Sequence, residues 1–272
     1  MKNLLLYGRA PYSVAVIHGG PGAGGEMAPV ARELASARGV LEPIQTAETL
    51  EGQVEELRTL LDIHGRPPCI LIGFSWGAWL GFIVAARYPA LVQKLLLVGS
   101  GPFEEKYVEL LHNTRLERFG KEERTEFQTI MRSLNSPVTE NQDALLRRFG
   151  ALAAKSDTYE AMENVIDDRD STGPKASVFR KVWDSAAALR RSGELLQLGK
   201  NIQCPVVAIH GDYDPHPAEG VQKPLSTVLK EFRFVLLDRC GHRPWIERYA
   251  QARFYKELKE ELSISAVQQQ RS

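Results

Sequence analysis

The most specific chemical pattern in the chain is the pentapeptide Gly73-Phe74-Ser75-Trp76-Gly77. It lies between the apolar run 69–72 and the apolar segment 76–88, which predict a buried strand followed by a buried helix. A serine at a sharp strand-to-helix turn presents its hydroxyl above the edge of a sheet, and glycines two positions away on either side leave room for the neighbouring backbone. Ser75 is therefore the predicted nucleophile.

A serine hydroxyl attacks well only when a base takes its proton, and that base is most often histidine. His242 stands in Cys240-Gly241-His242, directly after the last predicted strand. A loop at the carboxyl edge of a parallel sheet can reach Ser75 from there, so we predict His242 as the base. Other histidines lie in a glycine-rich turn, in or beside polar helical segments, or inside an apolar run: His18, His64, His112 and His210.

Two aspartates compete for the role of orienting His242. Both follow the apolar run 205–209. Asp214 is preferred because it lies four residues beyond the histidine that ends this run, which gives the loop enough length to reach His242. Asp212 follows a glycine directly and is better suited to capping the turn. The resulting order along the chain is serine, aspartate, histidine.

Acyl transfer also needs two N–H donors for the oxyanion, and the loss of one donor commonly costs about 10²–10³ in rate. Trp76 follows the nucleophile at the start of a predicted helix. Gly20 lies in the glycine-rich turn 18–22, which follows the first strong strand. We predict the backbone N–H groups of Gly20 and Trp76 as the oxyanion donors, although a turn of this composition could also simply join a strand to a helix.

Strands and helices that can hold these residues alternate along the chain. The strand segments are continuous apolar runs, which are typical of a parallel sheet covered by helices on both faces. Outside the long insertion described next, helices are predicted at 27–38, 48–62, 76–88 and 244–262. The predicted strands are 13–17, 69–72, 95–98, 205–209 and 232–237.

One long segment departs from this alternation. Residues 103–198 are rich in charge, carry helical periodicity and are interrupted at Ser136-Pro137 and Gly173-Pro174. This pattern predicts a helical cap inserted into an α/β core that comprises residues 1–102 and 199–272.

The motifs at 18–22, 73–77, 210–214 and 240–242 resemble those of the α/β-hydrolase superfamily, and the insertion stands where that family has its cap. The turn 18–22 and the tryptophan after the serine are similar to the proline iminopeptidase group. The resemblance implies a mostly parallel sheet with helices on both faces. The family usually begins with a longer hairpin, whereas only twelve residues precede residue 13, so we expect the sheet to lack an edge strand.

Composition excludes several other functions. The chain has 34 basic and 34 acidic residues, so no net charge attracts nucleic acid. No apolar run approaches the length of a membrane span or of a secretion signal. The three cysteines are widely spaced and odd in number, which favours reduced thiols. We therefore expect a cytoplasmic protein that interacts with neither nucleic acid nor membranes.

No cofactor or metal ion is expected. The glycines that follow residue 21 do not complete a dinucleotide-binding pattern, because Met27 stands where the last glycine is required. The acidic run 167–170 lacks the spacing and the glutamate of a calcium loop, which favours a solvated turn.

Together these residues predict a serine hydrolase that cleaves a small ester or amide bond through an acyl-enzyme on Ser75. Its partner would be a small molecule or a short peptide. Four aromatic residues are candidates for the walls of the substrate pocket, and each suits the core or the cap interface equally well: Phe74, Trp79, Tyr213 and Trp245.

Two alternatives stay open. A receptor that keeps the hydrolase fold without turnover would not require a nucleophile, base, acid and oxyanion turn together, which argues against it. An N-terminal aminopeptidase would need a buried acid in the cap to pair with the ammonium group of its substrate. The acidic candidates are Glu104, Glu105, Glu160, Glu163 and Asp184.

Overall fold

A computed structural model describes residues 3–21, 24–134, 141–163 and 176–269. The sheet at its centre has seven strands in the spatial order β1-β3-β2-β4-β5-β6-β7. β1 pairs antiparallel with β3, and the other neighbouring strands are parallel. The strands are β1 Leu4–Tyr7, β2 Tyr12–Ile17, β3 Gly39–Pro43, β4 Cys69–Phe74, β5 Val92–Val98, β6 Val206–Gly211 and β7 Phe232–Leu237.

Helices cover both faces of this sheet, as the continuous apolar strands predicted. In β2, Ala15 and Ile17 face one core cluster, and Val14 and Val16 face the other. α2, α3 and α9 pack in the first cluster, and α1 and α10 in the second. The helices are α1 Ala28–Ala35, α2 Leu50–His64, α3 Trp76–Arg87, α4 Val108–Arg118, α5 Lys121–Leu134, α6 Gln142–Ser156, α7 Ala176–Ser192, α8 Glu194–Gln197, α9 Glu219–Val228 and α10 Gln251–Gln269.

Helices α4 to α7 lie in the interval predicted for the cap. α4, α5 and α6 enclose a small apolar cluster that includes Phe119, Phe127 and Leu152. α7 instead packs its apolar face, with Val182, into the core cluster beside α3. The breaks predicted at 136–137 and 173–174, like the acidic run 167–170, lie outside the described residues. The domain bounds at 103 and 198 stay a prediction.

Three elements differ from the sequence expectation. An edge strand is present after all, because Leu4–Tyr7 pairs antiparallel with β3. It escaped prediction because it is four residues long and Leu5 and Leu6 are exposed. β3 was also missed, as was α9, which contains Pro224, a residue that normally marks a helix end.

Two further expectations concern membranes and cysteines. Within the described ranges, no helix combines the length and apolar character needed to cross a bilayer. Cys69, Cys204 and Cys240 are free thiols. Burial raises the pKa of Cys69 and of Cys204 to about 11.

Candidate active site

Ser75 occupies a strained turn between β4 and α3. Its φ of 51° and ψ of −114° lie in a region that costs a non-glycine residue about 1–3 kcal/mol. Its N–H donates to the carbonyl of Val98 at 2.9 Å, which fixes the turn against β5. A Cβ on Gly73 would lie 2.3 Å from the carbonyl oxygen of Gly77, and one on Gly77 would lie 2.3 Å from that of Ile17. Both flanking glycines are therefore required by close backbone approach.

His242 and Asp214 meet at the carboxyl edge of the sheet. His242 Nδ1 lies 2.7 Å from Asp214 Oδ2, and the carboxylate is fully buried whereas the imidazole keeps 13% of its surface exposed. Phe74, which directly precedes Ser75, contacts His242 with 4.8 Å between ring centroids. The structure thus brings the predicted base and acid together, next to the turn of the predicted nucleophile.

Asp212 has a different place, in agreement with its proposed capping role. Its Oδ1 accepts the Cys240 N–H at 3.1 Å, and its side chain lies at the surface. Asp212 therefore joins the loop after β6 to the loop that carries His242. None of the described hydrogen bonds of Asp212 involves the His242 imidazole.

A second histidine on the Asp214 carboxylate was missed from the sequence. His216 Nδ1 lies 2.7 Å from Asp214 Oδ1, and its backbone N–H donates to the same oxygen at 3.0 Å. The His216 ring stacks on His242 at 4.4 Å between centroids. Aspartate often accepts the N–H two residues on, so the sequence Asp214-Pro215-His216 carried a usable signal.

His210, at the end of β6, completes this arrangement. His210 Nε2 lies 2.7 Å from the carbonyl oxygen of His216, which makes it the donor, and 3.6 Å from Asp214 Oδ2. Three histidines therefore surround one buried carboxylate.

The charges of this cluster follow from burial and from mutual attraction. Burial alone would raise the pKa of Asp214, but the neighbouring His242, His216 and His210 outweigh it and hold the pKa well below its usual range. Burial also works to lower the pKa of His242, yet the Asp214 carboxylate raises it above the ordinary value. The pKa of His216 is lowered to about 4 by burial, so that His216 is neutral near pH 7. The ionised form of Asp214 is thus available to orient His242.

The predicted oxyanion donors follow two neighbouring strands of the sheet, since Gly20 comes after β2 and Trp76 comes after β4. Trp76 is the first residue of α3, where backbone N–H groups are free of helical partners. The Trp76 indole is buried in the core, where its Nε1–H donates to Gln45 Oε1 at 2.8 Å and to Gln53 Oε1 at 3.0 Å. Gly20 has a φ of 36°, and Gly22 lies outside the described residues. Both donors are therefore candidates by position.

His18 anchors the turn that contains Gly20. It is fully buried, and burial lowers its pKa to about 4. Its Nε2 accepts the Gln45 N–H at 3.1 Å, so Nδ1 carries the proton and donates to the Gly19 carbonyl at 2.8 Å. The histidine of this turn is a structural anchor.

The four aromatic wall candidates lie in different surroundings. Phe74 and Trp245 pack edge to face at 4.7 Å in the core cluster of α10. Trp79 is buried and stacks on Trp183 of the cap helix α7 at 5.7 Å. Tyr213 lies under the guanidinium of Arg118, 3.6 Å from its ring centroid. Trp79 and Tyr213 therefore lie at the cap interface, whereas Phe74 and Trp245 belong to the core.

The acidic residues proposed to hold a substrate ammonium lie at the surface. Glu104, Glu105 and Glu160 form ion pairs with basic residues and keep 35%, 47% and 46% of their side chains exposed. Glu163 and Asp184 are exposed as well. None of these five is a buried acid.

The central cluster also brings potential metal ligands together. Ligand atoms of Asp214, His216 and His242 all lie within 4.8 Å of one another. Both Nδ1 atoms already face the carboxylate at hydrogen-bond distance, so the described contacts are those of a hydrogen-bonded cluster.

Comparison with known proteins identifies the family of this chain. A profile of the alpha/beta hydrolase fold matches residues 12–249. The chain belongs to the α/β-hydrolase family. This membership confirms the predicted fold class and the prediction that the chain is a hydrolytic enzyme.

Individual relatives of this α/β-hydrolase are distant. A pimeloyl-[acyl-carrier protein] methyl ester esterase of Nitrosospira multiformis is 24% identical over 186 residues, which are 66% of this chain and 64% of that esterase. The chain thus spans less than two thirds of that relative's length.

Two solved structures share the fold over nearly the whole chain. The structure of VinJ has a TM-score of 0.69 at 19% identity and covers 96% of this chain and 94% of its own. A proline iminopeptidase of Mycobacterium smegmatis has a TM-score of 0.58 at 17% identity, with 98% and 94% covered. At these identities the likeness concerns the fold alone.

Proposed function

We propose that this α/β-hydrolase is a serine esterase for small acyl substrates, with Ser75 as nucleophile, His242 as base and Asp214 as the group that orients the base. The observation that carries the proposal is the 2.7 Å contact between His242 Nδ1 and the buried Asp214 carboxylate, next to a serine in a strained turn. A buried, ionised carboxylate accepts a hydrogen bond from Nδ1–H and so keeps the ring proton on Nδ1. Nε2 is then free to accept the serine proton.

The reaction follows from these roles. His242 takes the Ser75 proton as Oγ attacks the carbonyl carbon, and the Gly20 and Trp76 N–H groups stabilise the oxyanion. The imidazolium then returns its proton to the leaving alcohol, which departs and leaves an acyl group on Ser75. A water molecule, activated by the same imidazole, hydrolyses the acyl-enzyme.

An ester is favoured over a peptide with a free amine. The acids that could pair with an ammonium group lie at the surface, and an unpaired ammonium is costly to desolvate. The Arg115–Asp157 pair, on the cap side of the site, is already neutralised internally. The methyl ester named for the Nitrosospira relative points in the same direction. Aminopeptidase activity of the proline iminopeptidase type is the second candidate, supported by the motif resemblance.

The test combines a covalent probe with a substrate panel. A fluorophosphonate should label Ser75, as mapped by peptide mass spectrometry, and Ser75→Ala should not be labelled. Values of kcat/KM for short and medium acyl esters of a good leaving group should exceed those for aminoacyl anilides. Absence of labelling in the folded wild-type chain would favour a receptor. Much faster cleavage of proline anilides, lost when the amine is blocked, would favour the aminopeptidase.

A further inference from the structure

The loop that carries His242 is bound to the cap as well as to the core. Residues 157–162 of the cap, here named the cap strap, lie along residues 241–248, and an isolated β-bridge joins the two segments. Three backbone hydrogen bonds cross between them: His242 N–H to Asp157 C=O at 2.7 Å, Met162 N–H to Ile246 C=O at 2.9 Å, and Arg248 N–H to Glu160 C=O at 2.9 Å.

Glu247 reinforces this contact with its side chain, which is fully buried. Its Oε1 accepts the N–H groups of Gly241 and Tyr159, both at 3.0 Å, and its Oε2 accepts the N–H of Glu160 at 2.8 Å. A buried carboxylate is costly unless it is hydrogen-bonded, and here the described donors are backbone groups of both segments. The carboxylate thus connects the residue before His242 to the cap strap.

The two backbones touch at Gly241. A Cβ on Gly241 would lie 2.1 Å from the carbonyl oxygen of Asp157 and 2.5 Å from Glu247 Oε1. Arg115 of α4 in turn holds the Asp157 carboxylate, with Nε to Oδ1 at 2.9 Å and both side chains buried. A continuous set of buried contacts therefore runs from α4 through Asp157 to the backbone of His242.

We propose that Glu247 is a positioning residue, which fixes His242 by joining the Gly241 amide to the cap strap. This inference rests on the proposed function, because it assigns His242 as the base. The imidazole must face Asp214 with one nitrogen and Ser75 with the other, and a displacement of about 1 Å can cost roughly 10²-fold in rate. The cap strap therefore acts on the chemical step through the placement of the base.

Glu247→Gln is the direct test, since the amide has the shape of the carboxylate but its NH2 group cannot accept. At least one of the three N–H donors then faces another N–H group. We expect kcat per Ser75 labelled by fluorophosphonate to fall about 10–100-fold, with KM within about twofold. The acid limb of the pH profile should move to lower pH, because a displaced His242 feels the Asp214 charge less.

Glu160→Gln is the matched control. It removes a charge from the same neighbourhood, but its side chain lies at the surface and pairs with Arg248. Its kcat and pH profile should equal those of the wild type. A Glu247→Gln protein that is merely less heat-stable, with wild-type kcat per labelled site and an unchanged pH profile, overturns the proposal.

Two further measurements keep the test decisive. If Glu247→Gln does not fold, Arg115→Lys loosens the same set of contacts from α4, and an unchanged kcat and pH profile there overturns the proposal. NMR titration of the His242 ring protons requires no turnover, and we expect a lower pKa in the variant than in the wild type. Identical titrations contradict the positioning role alone, whereas a wild-type chain without turnover or labelling contradicts the proposed function alone.

Discussion

In the core, the charged groups of the site converge on one buried carboxylate, whereas in the cap many ion pairs lie at the surface. Asp214 is surrounded by three histidines within hydrogen-bond or ion-pair distance. The cap pairs Arg148–Glu126 and Lys155–Glu123 are exposed to solvent, where such pairs contribute little. We therefore expect activity to depend on individual side-chain atoms in the core site. In the cap, substitutions outside its few buried contacts should have little effect on activity.

The strongest test of this contrast removes the nucleophile or the base. Ser75→Ala and His242→Ala should each lower kcat by about 10⁴–10⁶-fold, because triad members act as a unit. The double variant should be little worse than either single one. Steady-state kinetics with circular dichroism as a control for folding measures this, and additive losses would show that the two residues act separately.

Comparison of the two aspartates tests the core site more finely. Asp214→Asn should lower kcat by about 10³–10⁴-fold, since it removes the charge that orients His242 and stabilises its imidazolium. Asp212→Asn is the matched control at the capping position and should keep most of the activity. An inactive Asp212→Asn protein beside an active Asp214→Asn protein would reverse the assignment.

The pH dependence measures the charge on the base. Because Asp214 raises the pKa of His242, the imidazole keeps its second proton to a higher pH than an ordinary histidine does. The protonated imidazole cannot act as a base. The kcat/KM should therefore rise with pH about tenfold per unit below a midpoint above the ordinary value of about 6.5. A midpoint at or below that value in the wild type would contradict the coupling to Asp214.

His216 offers a smaller effect in the same cluster. His216→Asn removes the imidazole stacked on His242 and its Nδ1 contact to Asp214, and a hydrogen bond to a charged group contributes about 1.5–3 kcal/mol. We expect a loss of that order in the free energy of unfolding by urea and a fall of about tenfold in kcat. His64→Asn, at an exposed histidine of α2, is the control. Wild-type stability and kcat in His216→Asn would show that the second histidine is dispensable.

Substitutions in the cap should change substrate specificity. Trp183 of α7 stacks on Trp79, one turn beyond Ser75. Trp183→Ala should change KM and the preferred acyl length by less than about tenfold while kcat for the best ester is kept, because the chemistry is done by core loops. Arg148→Ala, at the cap surface, should change neither. A uniform fall in kcat for every ester would place Trp183 among the residues that govern the chemical step.

The sequence predicted those site residues whose positions depend on local pattern. Ser75 was predicted because a nucleophile turn needs two glycines at fixed spacing, and Asp214 and His242 because the ends of parallel strands meet at one edge. His216 was missed although Asp214-Pro215-His216 carries a local turn signal, because such a turn does not by itself show that the imidazole also contacts the same carboxylate. Glu247 was missed because two of its partners, Tyr159 and Glu160, lie in the cap, 88 and 87 residues away. The edge strand escaped because its short pairing is formed with a distant partner and leaves two leucines exposed.

The cap strap also limits which segments of the cap could be transplanted from a related chain. Residues 157–162 supply a carbonyl oxygen to the His242 N–H and two backbone N–H groups to the Glu247 carboxylate. A transplanted cap that lacked these backbone groups would leave the base without its outer support. We therefore expect a cap graft to keep activity only when it leaves residues 157–162 of this chain in place.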